Sequence, residues 1–200
     1  MADDRLRLLT PEDLPGILSI EKASFQDARW TVDDFLAEME RPFSFVLGLF
    51  PPARTLPAGF APPPVPELSG PALRRLPASA PGAPRGTPAR PRAPFPPKPL
   101  GAFAAFWILY GETHLMHLAV APERRREGLG KAVLRAVLGF SVARGSGKVL
   151  LEASENNPAA LALYRSEGFR VVGRRKGYYE SGRADALSMT LDLPPAPCGG

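Results

Sequence analysis

The chain has one cysteine and two histidines in 200 residues, and none of its apolar runs is as long as a membrane span. The single cysteine, Cys198 in the closing "PPAPCGG", excludes an internal disulfide framework and a cysteine-rich zinc site. His114 and His117 lack the companions that a metal centre needs, so no metal is expected. The opening "MADDRLRLL" is acidic where a secretion signal would be basic. A cytoplasmic protein without a membrane partner is the expectation.

Proline is abundant, with 25 residues, but it is concentrated in one block. Pro51 to Pro99 holds 17 of them, together with seven basic residues against one acid, Glu67. Proline lacks an N–H and fixes φ, so this block should hold neither helix nor sheet and is expected to be disordered, with polyproline-II character. Its net charge is +6 in a chain of net +5, which leaves everything outside it at −1. The high isoelectric point thus belongs to the block, and the remainder has no basic footprint for nucleic acid.

Periodicity outlines the rest. "RLRLL" (Arg5 to Leu9) reads as a strand, followed by a helix capped by Thr10, with Pro11 at its first position and Asp13 completing a capping box. Leu14, Ile17 and Leu18 give that helix an apolar face. A second helix follows Thr31, with Val32, Phe35, Leu36 and Met39 inward. "FSFVLGLF" (Phe43 to Phe50) and "LGAFAAFWILY" (Leu100 to Tyr110) read as strands that become a hairpin once the proline block is set aside. The block is then a swollen hairpin loop, tolerable because closure entropy grows slowly with length. Further along come a strand at Thr113 to Val120 and a helix from about Gly128 to Arg144 carrying Leu129, Val133, Val137 and Phe140. Strand "KVLLEA", helix "NPAALALYRSEG" and strands "FRVVGRRKGYY" and "ADALSMTLDL" complete the chain. The order β-α-α-β-β-β-α-β-α-β-β predicts an α/β (α+β) domain with a mixed, partly parallel sheet. One domain over 1–200 is expected, with the insert at 51–99 and a flexible tail at 194–200.

The chemistry is carried by "PERRREGLGKAVLRAV", a glycine-rich turn between a strand and a helix. Free N–H groups there meet the positive end of a helix dipole, which suits a pyrophosphate. The ATP loop G-x-x-x-x-G-K-[ST] is absent, since "GSGKV" lacks the early glycine and the hydroxyl. The dinucleotide G-x-G-x-x-G also fails, because Val133 stands at the third glycine. What remains is R-x-x-G-x-G, Arg125 to Gly130, after "LAVAP".

This loop resembles the acetyl-CoA loop of the GNAT N-acetyltransferase superfamily. "LEASENNPAALALYRSEGF" resembles the second half of such a site. More narrowly it is similar to the RimI-like bacterial ribosomal-protein alanine acetyltransferases, as are "IEKASFQDARW", "GRRKGYY" and "ADALSM". The resemblance implies a GNAT fold with an N-terminal helix pair and two crossover helices. It also implies acetyl-CoA as cosubstrate, and as partner a protein N-terminus, by analogy the alanine of a small-subunit ribosomal protein.

Residue by residue, it implies that Leu118, Ala119 and Val120 lie beside the pantetheine and thioester. Arg125, Arg126, Glu127, Gly128, Leu129, Gly130 and Lys131 would cradle the pyrophosphate, mostly through main-chain amides. Asn157 is a helix cap by position and a cofactor contact by resemblance. Glu152 would be the general base and Tyr164 the proton donor to the departing thiolate. His117 either contacts substrate or is a buried, satisfied histidine. Tyr178 and Tyr179 wall a peptide groove or simply pack. Arg174, Arg175 and Lys176 read as a solvated charge run. Other amine acceptors, or an adaptor that uses the proline block to bind SH3-like partners, are the alternatives.

Overall fold

A computed structural model describes residues 6–25, 30–51, 99–179 and 183–194. The proline block from 52 to 98 and Cys198 lie outside the described residues. Seven strands form one sheet in the order β1-β2-β3-β4-β5-β7-β6. They are β1 (Leu6–Leu8), β2 (Ser44–Leu49), β3 (Ala102–Leu109), β4 (Glu112–Val120), β5 (Lys148–Ser154), β6 (Arg170–Tyr179) and β7 (Ala184–Asp192). The helices are α1 (Leu14–Ser24), α2 (Val32–Glu40), α3 (Leu129–Ala143) and α4 (Pro158–Ser166). The element order is the one the periodicity implies, and β2 and β3 do pair as an antiparallel hairpin, from Ser44↔Trp107 to Leu49↔Ala102.

β4 and β5 are parallel, joined through α3. β7 inserts between β5 and β6, antiparallel to both, so the second strand–helix–strand unit does not place its strands side by side. Both faces of the central strands are covered, which explains why β3 reads as an unbroken apolar run. Ala102, Ala104 and Phe106 join one core with Val133, Val137 and Phe140 of α3 and Leu161 and Tyr164 of α4. Phe103 and Ala105 face the other core, with Ile17 and Ile20 of α1 and Phe35 of α2.

Two expectations about helix starts are corrected. α1 does not begin at Pro11: a 3-10 turn covers Pro11–Asp13, and Leu14 N–H closes onto Pro11 O. Pro15 has no N–H to offer the carbonyl four residues back, so the first turn must tighten. The Thr10 amide donates to Asp13 Oδ2 at 2.9 Å. In α2, Val32 is exposed rather than inward, because the cap geometry of Thr31 and Asp34 turns the first residue to solvent. Phe35 carries the burial instead, and Glu38 is the second buried residue of that helix. Glu38 is enclosed because Ser44, Trp107 and Arg41 all donate to its carboxylate.

Candidate active site

The site begins with one extra residue. β3 and β4 pair Ala105 with His117 and then Phe106 with Leu115, so Met116 is a bulge. A bulge bends and twists its strand. The parallel pairing of β4 with β5 ends at Leu115↔Leu151, immediately before it. Beyond that point β5 pairs with β7 as far as Ser154↔Ala186, while β4 follows β3. The sheet is therefore open between the ends of its two central strands.

Hydrogen-bond alternation shows what lines the opening. The Ala121 amide donates to Gly101 O on the β3 side at 2.9 Å. The amides of Val120 and Leu118 then point the other way, into the gap, while that of Ala119 points toward β3. Of the three strand-end residues named from the sequence, Leu118 and Val120 offer main-chain donors to the gap. Ala119 supplies a side chain to the α1/α2 core.

After β4 the chain makes a 3-10 turn at Pro122–Arg124 and enters α3 through two left-handed residues, Arg126 (φ 68°) and Gly128 (φ 80°). The first bond into α3 is Ala132 N–H to Gly128 O. The amides of Leu129, Gly130 and Lys131 therefore have no partner within the helix, at the positive end of its dipole. A Cβ built on Gly128 meets nothing within 4 Å. Space and donors coincide there, and the loop fits a pyrophosphate-bearing ligand. Gly130 is glycine for a different reason: its Cβ would lie 3.4 Å from both Leu163 Cδ2 and Val120 Cγ2, where α3 crosses β4 and α4.

Charged side chains of the loop turn away from this cradle. Arg125 reaches Val120 O (3.4 Å) and Ser24 Oγ (3.1 Å), tying the loop to α1. Glu127 is held by Arg124 at 2.8 Å. Lys131 pairs with Glu167 beyond α4 at 2.9 Å, beside Arg135 at 2.7 Å. The donors left open at the loop are thus those of the backbone, with the exposed Arg126 beside them.

Glu152 and Tyr164 lie on opposite faces of the sheet. Val149, Leu151 and Ala153 pack toward α3 and α4, so Glu152 projects from the other face. Its carboxylate lies 3.4 Å from Ser188 Oγ and 3.5 Å from Arg175 Nη1, with the side chain one-third exposed (33%). Tyr164 is buried on α4, and burial pushes its phenol up, with Tyr179 adding to the effect. Tyr179 is also raised, by burial first and then by Glu152. Tyr179 thus couples electrostatically to both residues. Tyr178 stands exposed beside it, its ring 5.0 Å from that of Tyr179 and 4.1 Å from the Arg175 guanidinium. Asn157 caps α4, accepting from the Ala160 amide at 3.1 Å.

The expected charge run on β6 is solvated, with Arg174, Arg175 and Lys176 all exposed. Arg174 bridges Glu155 (3.0 Å) and Asp185 (3.2 Å), and Arg175 approaches Glu152. Ser188 was not singled out in the sequence; its register opposite Glu152 comes from pairing 36 residues away. His117 is enclosed rather than free, with its side chain 9% exposed, beside Glu21, Phe25 and Trp30. Among the described residues, no cluster of three or more His, Cys, Asp or Glu is placed to hold a metal. No described helix is long and apolar enough to cross a membrane.

Residues 97–169, which include the loop at the head of α3 and the two central strands, match the acetyltransferase (GNAT) family. Over 96 residues it is 38% identical to the ribosomal protein bS18-alanine N-acetyltransferase of Escherichia coli (strain K12), a stretch covering 47% of this chain and 65% of that enzyme. Over 75 residues it is 48% identical to the N-alpha-acetyltransferase RimI of Mycobacterium tuberculosis, covering 38% of this chain and 46% of that protein. The matched stretches thus span less than two thirds of those relatives. In three dimensions the chain is similar to the crystal structure of the E. coli ribosomal-protein-S18-alanine N-acetyltransferase, with a TM-score of 0.64 at 24% identity over 98% of this chain and 95% of that one. It is also similar to Arabidopsis thaliana NAA60 in complex with acetyl-CoA, with a TM-score of 0.66 at 17% identity over 94% of this chain and 97% of that one.

Proposed function

We propose that the chain is an Nα-acetyltransferase that moves an acetyl group from acetyl-CoA to the N-terminal amine of a protein. Its acceptor in this reading is the N-terminal alanine of a small-subunit ribosomal protein, after the bS18-alanine specificity in the name of its E. coli relative. The observation that supports the reading is the gap between β4 and β5, with the free amides of the α3 N-terminus following β4 and Glu152 at the first β5 position past the last β4–β5 pair. In this reading main-chain amides line the gap, the Glu152 carboxylate serves it from one face of the sheet, and the Tyr164 phenol, buried on the other face, serves it from there.

Acetyl-CoA supplies an activated thioester. In this reading the α3 N-terminal amides hold its pyrophosphate, and the Leu118 and Val120 amides face its pantetheine and thioester. An α-ammonium has a pKa of about 7.7–8.0, so Glu152 has only one proton to remove before attack, directly or through water. Tyr164 stays protonated at neutral pH and donates to the thiolate as the C–S bond breaks. The nitrogen attacks the thioester directly within a ternary complex. Tyr178 and Tyr179 border the acceptor side. We place the enzyme in the cytoplasm, where ribosomal proteins are made, and assign the folded part no nucleic-acid contact.

The test is a panel of peptides that differ in their first residue, offered with acetyl-CoA to the purified full chain, alongside free lysine and a diamine. Acetylation of alanine-first peptides at the α-amine, located by mass spectrometry, is the expected result. Acetylation of lysine side chains or the diamine alone would replace the N-terminal reading with that of a side-chain or small-amine acetyltransferase.

A further inference from the structure

Two buried polar atoms in the described residues have no hydrogen-bond partner, Glu21 Oε2 and His117 Nδ1, and they face each other at 3.6 Å. Glu21 lies in α1 and is 1% exposed; its other oxygen accepts from the Trp30 amide at 2.9 Å. A carboxylate this enclosed is costly unless it has a purpose or a second partner. The His117 ring is clamped between Phe25 (5.0 Å, edge-on) and Trp30 (4.2 Å), which leaves it little freedom to turn. Nδ1, not Nε2, is its enclosed nitrogen.

His117 is also the first residue after the Met116 bulge, where β4 parts from β5. Its contacts with α1 put it on the sheet face that Glu152 shares. One edge of the gap therefore carries Glu152 and the other carries His117, both on the side away from α4.

We propose that Glu21 and His117 form a carboxylate–imidazole pair that receives the acceptor amine on the β4 side of the gap. Glu21 is the positioning residue. It holds the Nδ1–H tautomer, so that the Nε2 lone pair faces outward and accepts a hydrogen bond from the amine nitrogen. The 3.6 Å separation shortens when substrate binds, as free-enzyme contacts of this kind do.

The inference rests on the acetyl-transfer reading but not on the N-terminal acceptor. Turning an ammonium into an amide removes two protons from nitrogen. One leaves before attack, to Glu152. The second leaves as the C–N bond forms and the C–S bond breaks, and His117 Nε2 takes it. Tyr164 gives its proton to the thiolate; one of the two captured protons restores Tyr164 and the other goes to solvent.

The test uses the full chain and whichever amine the panel shows it to acetylate. Glu21→Gln keeps an oxygen for the Trp30 amide and should melt at the parental temperature, while kcat falls about tenfold or more with acetyl-CoA affinity unchanged. His117→Phe keeps the ring stack and should slow transfer about 10²-fold or more. Nitrogen-15 NMR of the imidazoles, simple with two histidines in the chain, should show the Nδ1–H tautomer in the parent and lose that preference in Glu21→Gln. Parental rates in His117→Phe, or a His117 tautomer indifferent to Glu21→Gln, would overturn the pair. Should His117→Phe fail to fold, the Glu21→Gln kinetics and the tautomer decide. If the parent acetylates a diamine and not peptides, the N-terminal reading falls while loss of that activity in both variants upholds the pair. A parent inert toward every amine overturns both.

Discussion

Glu152 works from a position that is only one-third exposed yet lies in no apolar pocket, flanked by the Ser188 hydroxyl and the Arg175 guanidinium. In the proposed reaction a carboxylate so placed has only to collect one proton from an ammonium whose pKa, about 7.7–8.0, lies close to pH 7. Glu152→Gln should therefore leave the fold and acetyl-CoA affinity intact and slow transfer by about 10²–10⁴-fold. Raising the pH should partly rescue it, because free amine then forms without help; equal turnover by variant and parent at neutral pH would remove Glu152 as the base. Tyr164 contrasts with it. Burial holds its phenol neutral, so it can serve only as a donor to charge that develops in the reaction. Tyr164→Phe keeps the ring packing against Phe169 and should lower kcat with little change in KM for acetyl-CoA. A sharply raised KM with kcat maintained would make Tyr164 a binding residue instead.

At the scale of elements, the α3 N-terminus and its clamp to α4 decide how the site is held. Gly128 sits at φ 80° with open space where a Cβ would go, so the conformation disfavours a side chain and, in the proposed reading, the pyrophosphate takes that space. Gly128→Val should cost about 1–3 kcal/mol in backbone strain and abolish acetyl-CoA binding. Calorimetry on a folded variant with parental affinity would contradict the cradle. The clamp is Glu167, whose carboxylate takes both Lys131 and Arg135 of α3. Its burial raises the pKa, but the bonds from Arg135 and Lys131 outweigh that, and the folded value is below the unfolded one. The clamp's contribution is thus present above the ordinary carboxylate pKa and is lost as pH falls through the lowered value. Glu167→Gln should be less stable than the parent at pH 7, and the gap should close on acidification below the glutamate range, as read by thermal melts across pH.

For the whole molecule, the question is what the proline block does to a domain whose hairpin closes beside it. β2 and β3 are in register from Ser44↔Trp107 to Leu49↔Ala102, so the fold around the block is an ordinary hairpin. We propose that the block is a separable insert. Replacing residues 52–98 with a short Gly/Asn turn should leave a stable, active enzyme, gaining slightly from the shorter loop. It should also turn the net charge from +5 to −1, since the block holds seven basic residues against one acid. Peptide acetylation by full-length and shortened enzyme, compared at low and moderate salt, checks this. Equal rates uphold the separable insert; a large loss of peptide affinity, reproduced in the parent by salt, would show that its arginines steer the acceptor.

By itself the sequence determined the order of the elements, the hairpin interrupted by proline, the glycine-rich turn before α3 and the Asn157 cap, while Glu152 and Tyr164 were candidates by resemblance. Each of these is local: an apolar period, a cap, a glycine that must be left-handed, a motif of a few neighbours. What only the tertiary structure decided is long-range. The Met116 bulge shows only once β3 and β4 are aligned, and with it the point where the sheet opens. Ser188 and Arg175 reach Glu152 through strand pairing that no local pattern encodes. The insertion of β7 between β5 and β6 was likewise invisible in a run of alternating strands and helices. Glu21 drew no notice in the sequence, because its meeting with His117 spans 96 positions and depends on how α1 lies across β4. Side-chain periodicity tells which face of an element is buried; only the packed sheet tells what that face meets.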